Sequence, residues 1–248
     1  MFFESKKNIL FLTLAMFLVA NAVVAEMIGG KLFTVGPFFG IGPFTMSIGV
    51  IPWPIVFIAT DLINEYFGKQ GVRKISFITA GLIVYAYVVL FFAMNVNAAS
   101  FSPIQDDVFK KVFGQSMWII VGSILAFLVS QIVDNSVFWL LRDKTGGKMI
   151  WLRATGSTAV SQLIDTLIVG GVAFWLPAQL FPEQYHMTTL EFLTISVTAY
   201  VFKLVIAVCT TPLIYVGHSV IDKYLGKDEA HKIIKLSAEE SLHHKVDE

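Results

Sequence analysis

An all-α, polytopic membrane helix bundle of six transmembrane helices, both termini cytoplasmic, is predicted by three observations. The 248 residues are 56% hydrophobic and only 15% charged, with a mean hydropathy of +0.72, far from the balance of a water-soluble domain. The apolar residues fall into six blocks, each close to the roughly 20 residues that a helix needs to cross hydrocarbon. Lys and Arg gather in alternate connections between these blocks, which fixes an orientation.

The first block, 8–28, follows Lys6 and Lys7. It contains Ala20-Asn21-Ala22, superficially a signal-peptidase site, but the apolar run continues past it, so it reads as a retained span. The second, 44–66, contains Pro52-Trp53-Pro54, which removes backbone donors and should kink or interrupt the helix just outside Asp61. The remaining blocks are 75–94, 117–141, 154–176 and 190–216. Lys69, Arg73 and Lys74 separate the second from the third, and Arg142, Lys144, Lys148 and Arg153 the fourth from the fifth. Lys223, Lys227, Lys232 and Lys235 follow the sixth. The opposite connections hold Lys31 alone, then Lys110 and Lys111 offset by Asp106 and Asp107, then no basic residue. Between the spans, 31–43 is rich in Gly and Phe, and 96–114 has room for a short interfacial helix. Residues 1–225 thus form one transmembrane domain, and 226–248 a polar cytoplasmic tail, with His243 and His244 near its end and no visible chemistry.

Net charge is zero, so no nucleic-acid partner is indicated. The single cysteine, Cys209, excludes an internal disulfide and a multi-cysteine metal site, and neither metal nor cofactor is expected. Chemistry must instead come from ionisable groups inside the spans, each of which costs about 2.5–3.5 kcal/mol to insert at mid-membrane. These are Asp61 and Glu65 in the second span, Asp134 in the fourth, Asp165 in the fifth and Lys203, the one base within a span. Helical rise places Asp165 and Lys203 near mid-membrane and Asp61 and Asp134 in the cytoplasmic half. Glu65 reads as a solvated carboxylate at the interface, and Glu26, at the outer end of the first span, as less informative.

Residues three and four apart share a helix face, so Gln131 joins Asp134, Gln162 joins Asp165, and Ser157, Thr158 and Ser161 extend that stripe. Ser130-Gln131-Ile132-Val133-Asp134 also resembles Ser161-Gln162-Leu163-Ile164-Asp165, either a faint repeat or convergence on one polar task. The bland reading is an inter-helix salt bridge from Lys203 to one acid, with Ser, Thr and Gln hydrogen bonds holding the bundle. One lysine does not neutralise three carboxylates, which points to a ligand or ion site. Carboxylates and carboxamides together suit a small planar heterocycle bearing paired N–H donors, and Phe57, one turn before Asp61, offers a stacking face.

The run Phe57-Ile58-Ala59-Thr60-Asp61-Leu62-Ile63-Asn64-Glu65-Tyr66-Phe67-Gly68, the Gln131 to Asp134 segment, Ser157 with Gln162-Leu163-Ile164-Asp165-Thr166, and Phe202-Lys203 together resemble the queuosine precursor transporter family, of the VUT or YhhQ type. The resemblance implies a six-span inner-membrane protein that imports 7-deazaguanine bases, chiefly 7-cyano-7-deazaguanine and its aminomethyl relative, for salvage into tRNA queuosine. It also implies a purine-like ligand at Asp61, Asn64, Gln131, Asp134, Ser157, Gln162, Asp165, Lys203 and Phe57, with Asn64 and Glu65 the less secure matches. A homodimer is compatible with it. Two other readings stay open: a binding component of a larger vitamin-type importer, and an intramembrane aspartyl enzyme. Against any enzyme, the Gly-x-Gly-Asp signature is absent and no predicted span holds a central histidine.

Overall fold

The computed structural model describes residues 5–37, 44–114, 117–146, 148–183 and 186–243. Five helical stretches among them are long and apolar enough to cross a membrane, which agrees with the predicted all-α bundle. The first helix, α1 (Lys6–Ile28), packs against α2 (Trp53–Met94), while α4 (Met117–Thr145) and α5 (Ile150–Gly170) form the most extensive pair. The helix α7 (Thr189–Leu225) lies against α5 and α2. Large apolar side chains such as Phe77, Phe91, Phe92, Val205 and Val216 face outward, as a lipid solvent permits.

Two predicted elements are corrected. The block 44–66 is not helical throughout. Leu32–Val35 (β1) and Phe44–Ser47 (β2) form an antiparallel hairpin with Val35 opposite Phe44, and a 3₁₀ turn, Ile48–Val50, leads into α2. The residues linking the strands, 38–43 of the Gly- and Phe-rich stretch, lie outside the described residues. Pro52 and Pro54 consequently do not kink a helix. They sit at the cap and first turn of α2, where a missing N–H costs nothing.

The helix α2 reverses at Gly68, whose φ of 73° and ψ of 178° belong to a region open essentially to glycine. The consequence is visible at the far end of α1: a side chain on Gly49, just before α2, would meet the Ala25 carbonyl, and Tyr87, late in α2, donates to Glu26 at 3.2 Å. Both arms of α2 therefore run beside α1, and Ala15, Leu18, Ala22, Val56, Ile63, Val72 and Ile83 make one core.

The short helix α3 (Asp106–Phe113) occupies the connection where an interfacial helix was expected, with acids in its first turn and bases in its last, as the helix dipole favours. A π-helical turn, Gly171–Trp175, extends α5 into α6 (Leu176–Leu180), further than predicted. It lies where Gly122 of α4 lets Ala173 approach closely. A capping box of Thr188 and Glu191 starts α7. Beyond Gly226 the polar stretch folds as α8 (Lys227–His243) and docks on α2, its Ala230 and Ile233 buried with Leu10, Leu62, Tyr66 and Ile221. The start of α1, the reversal of α2, the end of α7 and α8 thus meet at one end of the bundle, where Lys6 also donates to the Tyr224 carbonyl at 3.1 Å.

Candidate functional site

Among the described residues, the predicted site side chains fall into two groups. The larger lies between α2, α4 and α5, towards the end that carries α8. Asp61, Asn64 and Glu65 come from α2, Gln131, Asp134 and Asn135 from α4, and Ser157, Thr158, Ser161 and Gln162 from α5, all of them buried. The i, i+3 and i+4 spacings read in the sequence put each set on the inward face of its helix.

Ser161 Oγ donates to Asp134 Oδ1 at 3.0 Å, Ser76 Oγ to Gln131 Oε1 at 3.4 Å, and Trp139 Nε1 to Asn64 Oδ1 at 3.3 Å. Ser157, fully buried, donates to the Ala154 carbonyl at 3.2 Å. Asn135 Nδ2 donates to the Lys69 carbonyl at 3.1 Å, just beyond the α2 reversal. Asp61 Oδ1, Asn64 Nδ2 and Asn135 Oδ1 have no hydrogen-bond partner among the described residues. A buried acceptor and a buried donor left unmade one turn apart on α2 are costly, and such groups in a native fold need a reason.

Asp61 lines a narrow cleft between α2, α5 and α7, together with Phe57, Ile58, Thr155, Thr158, Thr210 and Ile214. Its free volume, about 10 Å³, would hold one water at most, so this is a closed arrangement into which no bicyclic base fits. Phe57 flanks it and is itself backed by Trp53, with ring centroids 5.8 Å apart. Two further rings are engaged elsewhere: Phe127 lies 5.9 Å from Trp53, and Phe138 lies under the Arg153 guanidinium at 5.6 Å.

Glu65 is a correction. It is buried, not solvated, with Arg153 Nη2 at 2.6 Å and Arg142 Nη2 at 3.8 Å. The two arginines, read in the sequence as loop charges, are buried at the ends of α4 and α5. There, α8 reaches Arg142 and the backbone of Glu65. Arg142 Nη2 donates to the Ile234 carbonyl of α8 at 3.3 Å, and Ser237 Oγ to the Glu65 carbonyl at 2.9 Å.

The second group lies further from α8. Lys203 Nζ is 2.8 Å from Asp165 Oδ2 and 3.2 Å from Thr166 Oγ1, in a partly buried pair. Lys203 is thus committed to Asp165, whereas Glu65 of α2 is served by Arg153 and Arg142. Glu26 is buried too, taking the Tyr87 hydroxyl. Among the described residues, no set of three or more His, Cys, Asp or Glu side chains is arranged to hold a metal.

The profile of a family described as "Putative vitamin uptake transporter" matches residues 47–217, which include Asp61, Asp134, Asp165 and Lys203. A Bacillus subtilis (strain 168) protein named "Probable queuosine precursor transporter" is 30% identical over 178 residues, 71% of this chain and 73% of that protein. One of the same name from Haemophilus influenzae (strain Rd) is 30% identical over 167 residues, covering 66% and 65%. The Escherichia coli (strain K12) "Queuosine precursor transporter" is 30% identical over 168 residues, covering 66% and 69%. No solved structure matches. All three relatives are named as transporters and none as an enzyme. With helices built for lipid, buried polar groups at their centre and a matching profile over most of its length, this chain belongs to the putative vitamin uptake transporter family.

Proposed function

We propose that the chain imports a queuosine precursor, 7-cyano-7-deazaguanine or a related 7-deazaguanine base, across the inner membrane as a proton-coupled secondary transporter. The observation that carries the reading is Asp61: a buried carboxylate with an oxygen unpartnered among the described residues, on a cleft edged by the Phe57 ring. A guanine-type edge presents adjacent ring N–H and amino donors, which a carboxylate accepts as a pair, and a carbonyl acceptor suited to the Asn64 carboxamide N–H. Gln131, Asp134, Ser157 and Gln162 line the same polar interior, and Asp165 with Lys203 makes a second station along the path. The names of the three relatives supply the substrate class.

The transport domain, 1–225, would cross the membrane six times, because the two arms of α2, 53–67 and 69–94, count separately. At 1.5 Å per residue the first arm is only about 22 Å long, short of the roughly 30 Å hydrocarbon core. The hairpin and 3₁₀ turn would complete that crossing, and irregular backbone at such depth requires protein around it. Phe44 and Met46 are buried accordingly. Lys6, Lys7 and the bases after 222 support a cytoplasmic α8 end, with α8 beneath the membrane.

The deciding experiment feeds 7-cyano-7-deazaguanine to cells unable to synthesise it, with and without this protein, and measures queuosine in tRNA. Restoration by the native chain, lost in Asp61→Asn at equal membrane abundance, supports the reading. Absence of restoration with the cyano and the aminomethyl base alike sinks it.

A further inference from the structure

A polar chain outside both groups joins α7 to α2 at the α8 end. Tyr66 OH donates to Asp222 Oδ1 at 2.9 Å, and its oxygen lies 3.1 Å from His218 Nδ1. The Tyr66 hydroxyl has one hydrogen and gives it to Asp222, so His218 Nδ1–H donates to the Tyr66 oxygen. The order His218, Tyr66, Asp222 is therefore a continuous row of donors ending on a carboxylate. Tyr66 is fully buried, while His218 and Asp222 are partly exposed.

Its placement ties it to the cleft. Thr210 and Ile214 of α7 line the space beside Asp61, and His218 and Asp222 follow at successive four-residue steps on the same face. Next to them, Gly217 lets Leu62, the neighbour of Asp61, pack directly on the α7 backbone. The cleft thus ends about one helical turn, some 6 Å, above His218. The charged groups around His218 are Glu65 from α2, Arg153 from α5 and Asp222 on α7 itself. Lys6 of α1 reaches the Tyr224 ring two residues beyond Asp222, and α1 and α8 face the cluster with apolar Leu10, Ala230 and Ile233. Histidine is the side chain whose ordinary titration falls in the physiological range.

We propose that His218, Tyr66 and Asp222 form the site that takes up and releases the coupled proton, separate from the groups that hold the base. A proton arriving at the Nε2 of His218 makes the imidazolium. Its Nδ1–H then passes to the Tyr66 oxygen as the Tyr66 hydroxyl proton moves to Asp222 Oδ1. The result is neutral His218, an intact tyrosine and a protonated Asp222, so charge and atoms balance. The same step turns the Asp222 carboxylate from an acceptor into a group that holds its own proton, which weakens the tie between α2 and α7. Those two helices must part for the Asp61 cleft to open at this end, so proton transfer and cytoplasmic opening are one event.

The inference rests on the transport reading above, and the test separates the two. The full-length chain is reconstituted in liposomes with radiolabelled 7-cyano-7-deazaguanine, and two rates are measured: exchange of internal for external base at equal pH, and net accumulation driven by an imposed pH gradient. His218→Gln, Asp222→Asn and Tyr66→Phe should exchange within about twofold of the native chain while their accumulation ratio falls to about 1. Tyr66→Phe keeps the ring in the core and guards against simple misfolding. Gradient-driven accumulation at the native level in these variants overturns the proposal. So does loss of exchange and accumulation together, which would make the cluster part of the translocation path or its scaffold. Absence of exchange by the native chain overturns the transport reading, and this assignment with it.

Discussion

Arg153 Nη2 and Glu65 Oε2 stand 2.6 Å apart, both side chains buried, and this pair joins α5 to the last turn of α2 before its reversal. Arg142 approaches the other Glu65 oxygen at 3.8 Å and stacks on the Trp139 ring at 4.7 Å. One carboxylate therefore gathers α2, α4 and α5, and through its backbone carbonyl α8 as well.

Breaking that pair from one side should be severe. Removing one member of a buried ion pair leaves the other uncompensated, at about 3–5 kcal/mol. Arg153→Met and Glu65→Leu should each lower the melting temperature of the detergent-purified protein strongly, and the double variant should be less unstable than the sum of the two. Strict additivity in thermal unfolding would mean that the two groups do not interact.

Asp61 should behave differently. Its Oδ1 has no partner among the described residues, so Asp61→Asn should cost less than about 1 kcal/mol of stability. Uptake should nevertheless fall at least 10-fold, since losing a charge-assisted contact to the ligand is worth about 1.5–3 kcal/mol. The checks are melting temperature and initial uptake rate at equal abundance. A variant that transports normally would remove Asp61 from the ligand site.

Steric filling offers an independent probe of the same cleft. Ala207 lines it from α7 and is buried. Ala207→Trp should insert normally and abolish uptake, whereas an equivalent substitution at Val208, exposed on the outer face, should leave uptake within about twofold. Radiolabelled uptake with surface-expression controls distinguishes the two.

Gly68 is the backbone counterpart. A side chain at φ 73°, ψ 178° is strained by about 1–3 kcal/mol. Gly68→Ala should therefore reduce the folded fraction in a melting assay, while Gly81→Ala should have no such effect, because nothing lies within 4 Å of a side chain there and its backbone is helical.

How far the site was legible shows best in the twin runs Ser130 to Asp134 and Ser161 to Asp165. Sequence marked both as polar stripes inside spans, and both lie on apolar helices. It gave no means to tell that Ser161 would serve Asp134 across the helix pair while Asp165 turned to Lys203, since the same five-residue pattern carries no information on its partner. The cluster of Tyr66, His218 and Asp222 was missed for a related reason. His218 fell just past the predicted end of the sixth span, and a lone histidine near a helix end has no signature of its own.

The sequence by itself determined the solvent and the helical class, because hydropathy and period-3.6 spacing are local properties that lipid enforces block by block. Tertiary structure alone decided which charges meet. Glu65 finds Arg153 across 88 residues, Arg142 reaches the Ile234 carbonyl of α8, and the run 44–52 becomes a strand, a turn and a helix cap instead of continuous helix. The physical reason is that an apolar run fits a buried strand as well as a helix, and a charge at a helix end is solvated or buried according to what packs over it.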